Sequence, residues 1–255
     1  MLFAIDIGNS NVVFGIYRED RWEKVWRIQT DLQKTADEYE VIFRTLLSAG
    51  AVSLTTIGRV VISSVVPSLL NDFCEMIREL LSDPDILVVS PAIYACLPIT
   101  IQNPNEIGTD LVANATAAYS KYHCACMVID FGTALTFTTL SDEGCILGVA
   151  IAPGLKTAMK ALAGNTAQLP HVQLVAPPSV LGQNTVHAIQ SGLIFGYSGM
   201  IDRLIDQTTR ELGKDLRVIA TGGMSSVLAG QLTSIQVVDK NLTLEGLRII
   251  GQLSV

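Results

Sequence analysis

Phe3-Ala4-Ile5-Asp6-Ile7-Gly8-Asn9-Ser10-Asn11-Val12-Val13 runs from an apolar strand pattern through an acidic, glycine-containing turn into a second apolar strand. Gly8 lets backbone N–H groups approach a ligand oxygen with no Cβ in the way, and Asn9, Ser10 and Asn11 add neutral donors. Such a turn suits an anion such as phosphate. Asp6 repels an anion unless a cation lies between them, and Mg²⁺ is commonly held by one or two carboxylates together with phosphate oxygens. A plain turn between two strands uses the same residue types, so this stretch alone leaves both readings open.

A second copy tips the balance. Met127-Val128-Ile129-Asp130-Phe131-Gly132-Thr133-Ala134-Leu135-Thr136-Phe137 repeats strand, Asp-x-Gly, small polar residue and strand about half a chain later. Internal self-similarity of this kind predicts two like-folded halves facing each other across a cleft, each supplying one acidic turn.

The chain has 255 residues, of which 49% are hydrophobic, enough for one large domain or two ordinary ones with a sizeable core. Its formal net charge of -7, with no basic run, argues against nucleic acid or an anionic membrane as partner and for a small molecule. Asp6 interrupts the first apolar run, with no basic region before it, and the stretch from Ile86 to Ile101 contains Ser90, Pro91 and Pro98. Neither reads as a targeting or membrane-spanning segment, so a cytoplasmic protein is expected. The five cysteines, Cys74, Cys96, Cys124, Cys126 and Cys145, lack metal-site or redox spacing and are read as buried free thiols. His123, His171 and His187 occur singly, which disfavours a zinc site or a histidine triad, and no Walker, Rossmann or H-E-x-x-H pattern is present.

Hydrophobic period and turn residues predict, in order, the first hairpin, a third strand over 21–30, a helix over 37–49, a strand over 60–66, a helix from Pro67 to about Leu81 and a strand over 86–89. The second half opens with two more hairpin strands into and out of Asp130, then a third strand over 146–152 and a helix from Leu155 to Ala163. A long helix follows from Val186 to about Leu212, then a strand into Thr221-Gly222-Gly223 and a last helix over 242–250. This order is α/β: two ribonuclease-H-like halves, each a mixed five-stranded sheet with helices, divided as 1–117 and 118–255. Gly222-Gly223 after a strand can cradle a nucleotide. Asp110, at the start of a predicted helix from Leu111 to Tyr122, is either an N-cap or a general base near the positive end of the helix.

The coexistence of the Asp-x-Gly-Asn-Ser-Asn hairpin, the Asp-x-Gly-Thr-Ala hairpin and Thr-Gly-Gly resembles the acetate and sugar kinase, Hsp70 and actin superfamily. Within it the words Ile62-Ser63-Ser64-Val65-Val66-Pro67, Asn103-Pro104-x-Glu106-Ile107-Gly108-x-Asp110, Ile151-Ala152-Pro153-Gly154 and Asn184-Thr185-x-x-Ala188-Ile189 are similar to those of type III pantothenate kinases. The resemblance implies transfer of the ATP γ-phosphoryl group to pantothenate, the first step towards coenzyme A. It also implies roles for particular residues. Asp6, Ile7, Gly8, Asn9, Ser10, Asn11, Val12 and Val13 would hold the ATP phosphates, with Asp6 on Mg²⁺, and Thr133 would touch ATP. Asp130 would bind a monovalent cation, K⁺ or NH₄⁺. Asp110 would accept the hydroxyl proton, and Gly108, Thr109, Asp110, Leu111, Ile101 and Thr185 would form the pantothenate side. A homodimer is implied as well.

Three positions depart from the family words: Leu111 stands where an arginine is expected, Ile101 where a tyrosine is expected and Val149 where a glycine is expected. The first two fall on the acceptor side. Lys156 and Lys160 are conceivable replacement cations. The alternative function is a nucleotide-binding relative, non-catalytic or with an altered acceptor, in a regulatory or accessory role.

Overall fold

The computed structural model describes residues 1–228 and 230–253. The chain forms two compact units, Met1–Lys121 together with the chain from Leu242 on, and Tyr122–Asn241.

In the first unit, β1 (Leu2–Ile7), β2 (Asn11–Arg18) and β3 (Arg21–Gln29) form an antiparallel meander. β4 (Arg59–Ser64) lies parallel to β1 on its other side, and β5 (Asp85–Val88) lies parallel beyond it, giving the order β3-β2-β1-β4-β5. The central strands β1 and β4 carry near-continuous apolar runs because helices cover both of their faces. Helix α1 (Ala36–Ala49) starts with a capping box: Glu38 N–H donates to Thr35 Oγ1, and Thr35 N–H donates to the Glu38 carboxylate at 2.9 Å. Its buried Tyr39, Phe43 and Leu47, spaced four apart, form one helix face. Phe43 stacks on Phe14 of β2 with ring centroids 4.0 Å apart. Helix α2 (Pro67–Leu80) begins, as predicted, with Pro67 in its first turn and adds Phe73 and Ile77 to the same core.

The second unit repeats this sheet strand for strand. β6 (Cys126–Phe131), β7 (Ala134–Leu140) and β8 (Ile146–Pro153) form the meander. β9 (Arg217–Thr221) runs parallel to β6, and β10 (Val237–Val238) parallel to β9. Read from β8, the order β10-β9-β6-β7-β8 is that of the first sheet. Between Thr109–Tyr122 (α3) and the C-terminus lie α4 (Leu155–Gly164), α5 (Thr185–Leu212) and the four-residue α6 (Ser225–Leu228). Met127, Ile129 and Phe131 of β6 pack with Ile194 and Ile201 of α5 in the core of this unit.

The last helix, α7 (Leu242–Gln252), belongs with the first sheet rather than with residues 118–255, because it lies on β1 and β4. A Cβ at Gly251 would come within 2.4 Å of Val61 Cγ2 and 2.6 Å of Leu2 Cδ1, and one at Gly246 within 1.9 Å of Ala113 O. Two glycines five residues apart let this helix sit directly on its neighbours. Glu245 holds it to the sheet edge, accepting from Trp22 Nε1 at 3.2 Å and from Arg248 Nε at 2.8 Å. The other boundary falls at the end of α3, whereas a cut at 117/118 would divide that helix.

The cysteines are free, as expected, but only Cys126 is buried, and Cys96 is exposed. Burial pushes the Cys126 thiol up to about 12. Cys126 opens the central strand β6; Cys124 and Cys145 lie just before strands and Cys96 ends a short turn, while Cys74 is half-buried within α2. Among the described residues no helix is long and apolar enough to cross a membrane.

Candidate active site

Asp6 is the penultimate residue of β1, opposite Val13 on β2 and Ser63 on β4. It therefore points from the carboxyl end of a central parallel strand, the edge at which open α/β sheets bind ligands. The turn after it closes with Gly8 N–H donating to Asn11 O at 3.0 Å. Thr30, just past β3, holds the turn from outside: its hydroxyl donates to Gly8 O at 2.6 Å and its N–H to Ser10 O at 3.1 Å. The Asn11 side-chain amide donates to Ile28 O at 3.2 Å, so one of the donors expected to face a ligand anchors the turn to β3 instead. Asn9 and Ser10 are exposed at the tip.

From β4 a short polar relay reaches α3. Thr109 Oγ1 donates to Ser64 O at 3.1 Å. A hydroxyl has one proton, so in its 2.9 Å contact with fully buried Ser63 the serine is the donor. This pair fixes the first residue of α3 at the end of the strand beside Asp6. Asp110 follows it as the second residue of the helix, not as its N-cap. An N-cap accepts from the N–H two or three residues on, whereas Asp110 Oδ1 accepts from the next residue, Leu111 N–H, at 2.8 Å.

The Asp110 carboxylate is folded back over Gly108, where a Cβ would fall 2.5 Å from Oδ1. Gly108 is needed because that space is taken. Burial raises the Asp110 pKa above its ordinary value, and the backbone N–H groups of Leu111 and of Asp110 itself oppose the rise. A carboxylate made more basic by burial yet still able to ionise at a helix N-terminus is suited to accept a proton from an alcohol. Beside it Leu111 is 7% exposed and Ile101 is half-buried.

In the second unit Asp130 is the penultimate residue of β6, the counterpart of Asp6. It lies in register between Thr136 on β7 and Thr221 on β9, so the three side chains share one face of the sheet. Gly222, at φ +89°, passes over it, and a Cβ there would meet Asp130 Oδ1 at 2.4 Å. The Thr-Gly-Gly word is thus explained: its first glycine leaves room for the Asp130 carboxylate. The neighbouring turn closes with Gly132 N–H donating to Ala134 O at 3.1 Å and is one residue shorter than its counterpart. Thr133 O accepts from Gly154 N–H at 3.0 Å and from Thr157 Oγ1 at 2.6 Å, which latches the start of α4 onto the turn. Thr133 itself is exposed. Thr185 is the exposed first residue of α5, and the preceding Asn184 caps that helix by accepting from His187 N–H at 2.9 Å. Lys156 and Lys160 are exposed on α4.

The structure therefore gathers Asp6, the 8–11 turn, Thr109 and Asp110 in one unit, and Asp130, Thr133 and Gly222 in the other. Ser63 was not singled out by sequence reading. The signal available for it was a serine directly after the apolar run Val60-Val61-Ile62 of β4, one strand over from Asp6.

The chain matches the family described as type III pantothenate kinase over residues 2–207. A type III pantothenate kinase from Syntrophobacter fumaroxidans is 42% identical over 251 residues, covering 98% of this chain and 97% of that one. The chain belongs to the type III pantothenate kinase family. Two solved structures share the fold at low identity. A protein described as a Baf family transcriptional activator from Campylobacter jejuni has a TM-score of 0.60 at 19% identity, with 97% of this chain and 96% of that chain covered. The activator of 2-hydroxyisocaproyl-CoA dehydratase from Clostridium difficile, with bound ADPNP, has a TM-score of 0.56 at 13% identity, covering 98% and 93%.

For a type III pantothenate kinase the metal question can be put to the residues themselves. Among the described residues no group of three or more His, Cys, Asp or Glu could cage a metal. A single carboxylate beside a turn, with phosphate oxygens completing the shell, is the arrangement in which Mg²⁺ is commonly bound with nucleotides, and Asp6 fits it.

Proposed function

We propose that this chain transfers the γ-phosphoryl group of ATP to the primary hydroxyl of pantothenate, forming 4'-phosphopantothenate. The observation that carries the reading is Asp110, a carboxylate made more basic by burial, fixed through Thr109 and Ser63 at the strand end next to Asp6. Phosphoryl transfer asks little covalent chemistry of a protein; positioning and charge neutralisation do most of the work. Backbone N–H groups of the turn at 8–11 would orient the phosphates. Asp6 would hold Mg²⁺, which supplies positive charge against the phosphate oxygens, and Asp130 would hold a monovalent cation, K⁺ or NH₄⁺. Thr133 would touch ATP. Asp110 accepts the proton of the acceptor hydroxyl, while Gly108, Thr109, Leu111, Ile101 and Thr185 shape the acceptor side. The expected site of action is the cytoplasm.

The purified protein is expected to convert pantothenate to its 4'-phosphate with ATP and Mg²⁺, faster with K⁺ than with Na⁺, as followed by ADP release and mass spectrometry. ATP binding by calorimetry with no binding or phosphorylation of millimolar pantothenate would instead favour a non-catalytic role.

A homodimer is also proposed. On α5, Ala188, Gly192, Gly196 and Gly199 form an exposed stripe, and a Cβ at any of these three glycines would meet nothing within 4 Å. The edge strand β8 exposes Leu147, Val149 and Ile151, an apolar edge that a monomer would leave open to pairing. Sedimentation equilibrium at micromolar concentration is expected to return twice the 27.4 kDa chain mass; a monomer there would count against the pairing.

A further inference from the structure

The two repeated sheets differ beside their acidic residues. Asp6 lies in register between Val13 and Ser63, and the Ser63 hydroxyl is engaged by Thr109 at 2.9 Å. Asp130 lies in the equivalent register between Thr136 and Thr221. Adjacent strands are about 4.8 Å apart, so both threonines are immediate neighbours of the Asp130 side chain on one face of the sheet. Thr221 is 1% exposed, and the Oγ1 atoms of Thr136 and Thr221 are both buried with no hydrogen-bond partner among the described residues. The chain that passes over them is held in place: Gly222 O accepts from Ser225 Oγ at 2.8 Å and from Ser225 N–H at 3.3 Å. A buried hydroxyl without a partner is costly. Valine has the shape of threonine without that cost, and Val13 fills the place equivalent to Thr136 in the first unit. Two such hydroxyls, one on each side of a single carboxylate, are not explained by packing.

We propose that Thr136 and Thr221 are ligands of the cation held at Asp130, their hydroxyl oxygens and the carboxylate together forming a seat for a monovalent ion. This role rests on the cation reading of Asp130 given above and extends the site to two residues with no part in it so far. A threonine hydroxyl has lone pairs to offer a cation and carries no charge. One carboxylate therefore balances one positive charge, and the two neutral oxygens add coordination without adding charge. Mg²⁺ is served less well by such a set, because it keeps several waters and demands near-ideal octahedral geometry. Asp6, flanked by an apolar side chain and an engaged serine, leaves the rest of a cation's shell to phosphate oxygens and water, which suits Mg²⁺. The neighbours of each aspartate in the sheet thus assign it a different class of cation.

Thermal denaturation of the full chain, with KCl exchanged for choline chloride at constant ionic strength and with and without ATP, tests this. An ion that binds only the folded protein raises its melting temperature as its concentration passes the dissociation constant. Wild type is expected to be stabilised by K⁺. Thr136→Val and Thr221→Val should each need about tenfold more K⁺ for the same rise, and the K⁺ concentration that half-activates turnover should move with it. Thr136→Ser and Thr221→Ser keep the oxygen and should respond to K⁺ as wild type does. If a valine variant does not fold, Thr→Ala at the same position removes the same oxygen with less bulk and is read in the same way. Oxygen-free variants that respond at the wild-type K⁺ concentration overturn the role, since water would then satisfy the hydroxyls. Wild-type melting and turnover that ignore K⁺ remove the cation from Asp130 and the threonine role with it, whereas phosphorylation of pantothenate would stand or fall separately.

Discussion

Asp110→Asn is expected to lower kcat by about 10²- to 10⁴-fold, the usual worth of a positioned general base, while raising the melting temperature at neutral pH. The substitution keeps the shape, and the remaining amide oxygen can still accept from Leu111 N–H as the carboxylate does at 2.8 Å. What it removes is a proton acceptor whose pKa is raised by burial. In the unfolded chain that carboxyl ionises near its ordinary value of 3.8. As pH rises through that value the unfolded state loses its proton first, so stability falls until the folded carboxyl has ionised as well. Above that window the whole cost is present; well below pH 3.8 it is absent. Thermal denaturation of both proteins should therefore show a gain for the asparagine variant near pH 7 that disappears at about pH 3. Turnover unchanged by this substitution would remove Asp110 from the chemistry.

Leu111→Arg is expected to lower the KM for pantothenate by roughly ten- to a hundredfold, because a charge-assisted hydrogen bond contributes about 1.5 to 3 kcal/mol. The structure adds a cost that sequence could not show. Leu111 is 7% exposed, so a guanidinium there must be taken out of water before it meets an anionic acceptor. The variant should melt at a lower temperature than wild type when free and regain part of the difference when pantothenate is added. Kinetics and melting curves with and without pantothenate check both halves. A KM that does not fall would show that the absent arginine is not what limits acceptor binding in this chain.

Much of the site was legible because it is built from local signals. Asp6 and Asp130 each follow a run of apolar residues and precede a glycine, and the repeated word predicted two sheets of like topology, which the strand orders bear out. Pro67 and the Thr35–Glu38 pair mark helix starts by rules that reach no further than four residues. What escaped reading is either too short or too distant in sequence. β10 is two residues long, below any visible alternation. The return of α7 to the first sheet depends on Gly246 and Gly251 meeting Ala113 and Val61, residues more than a hundred positions away. Asp110 could be read as a cap or a base, since both uses place an aspartate at a helix start. Only the acceptor geometry at Leu111 N–H and the burial around it separate the two.

By itself, then, the sequence determined two strand-turn-strand units with an acidic residue at each turn, the α/β order around them and membership of a kinase family, because periodicity, glycine and turn chemistry act between neighbours. The tertiary structure decided what surrounds those residues. It placed Ser63 against Thr109 across 46 positions and emptied the space of a side chain at Gly108 and Gly222 for two carboxylates. Burial and long-range hydrogen bonding depend on which distant segments meet, and no local pattern in the chain records that.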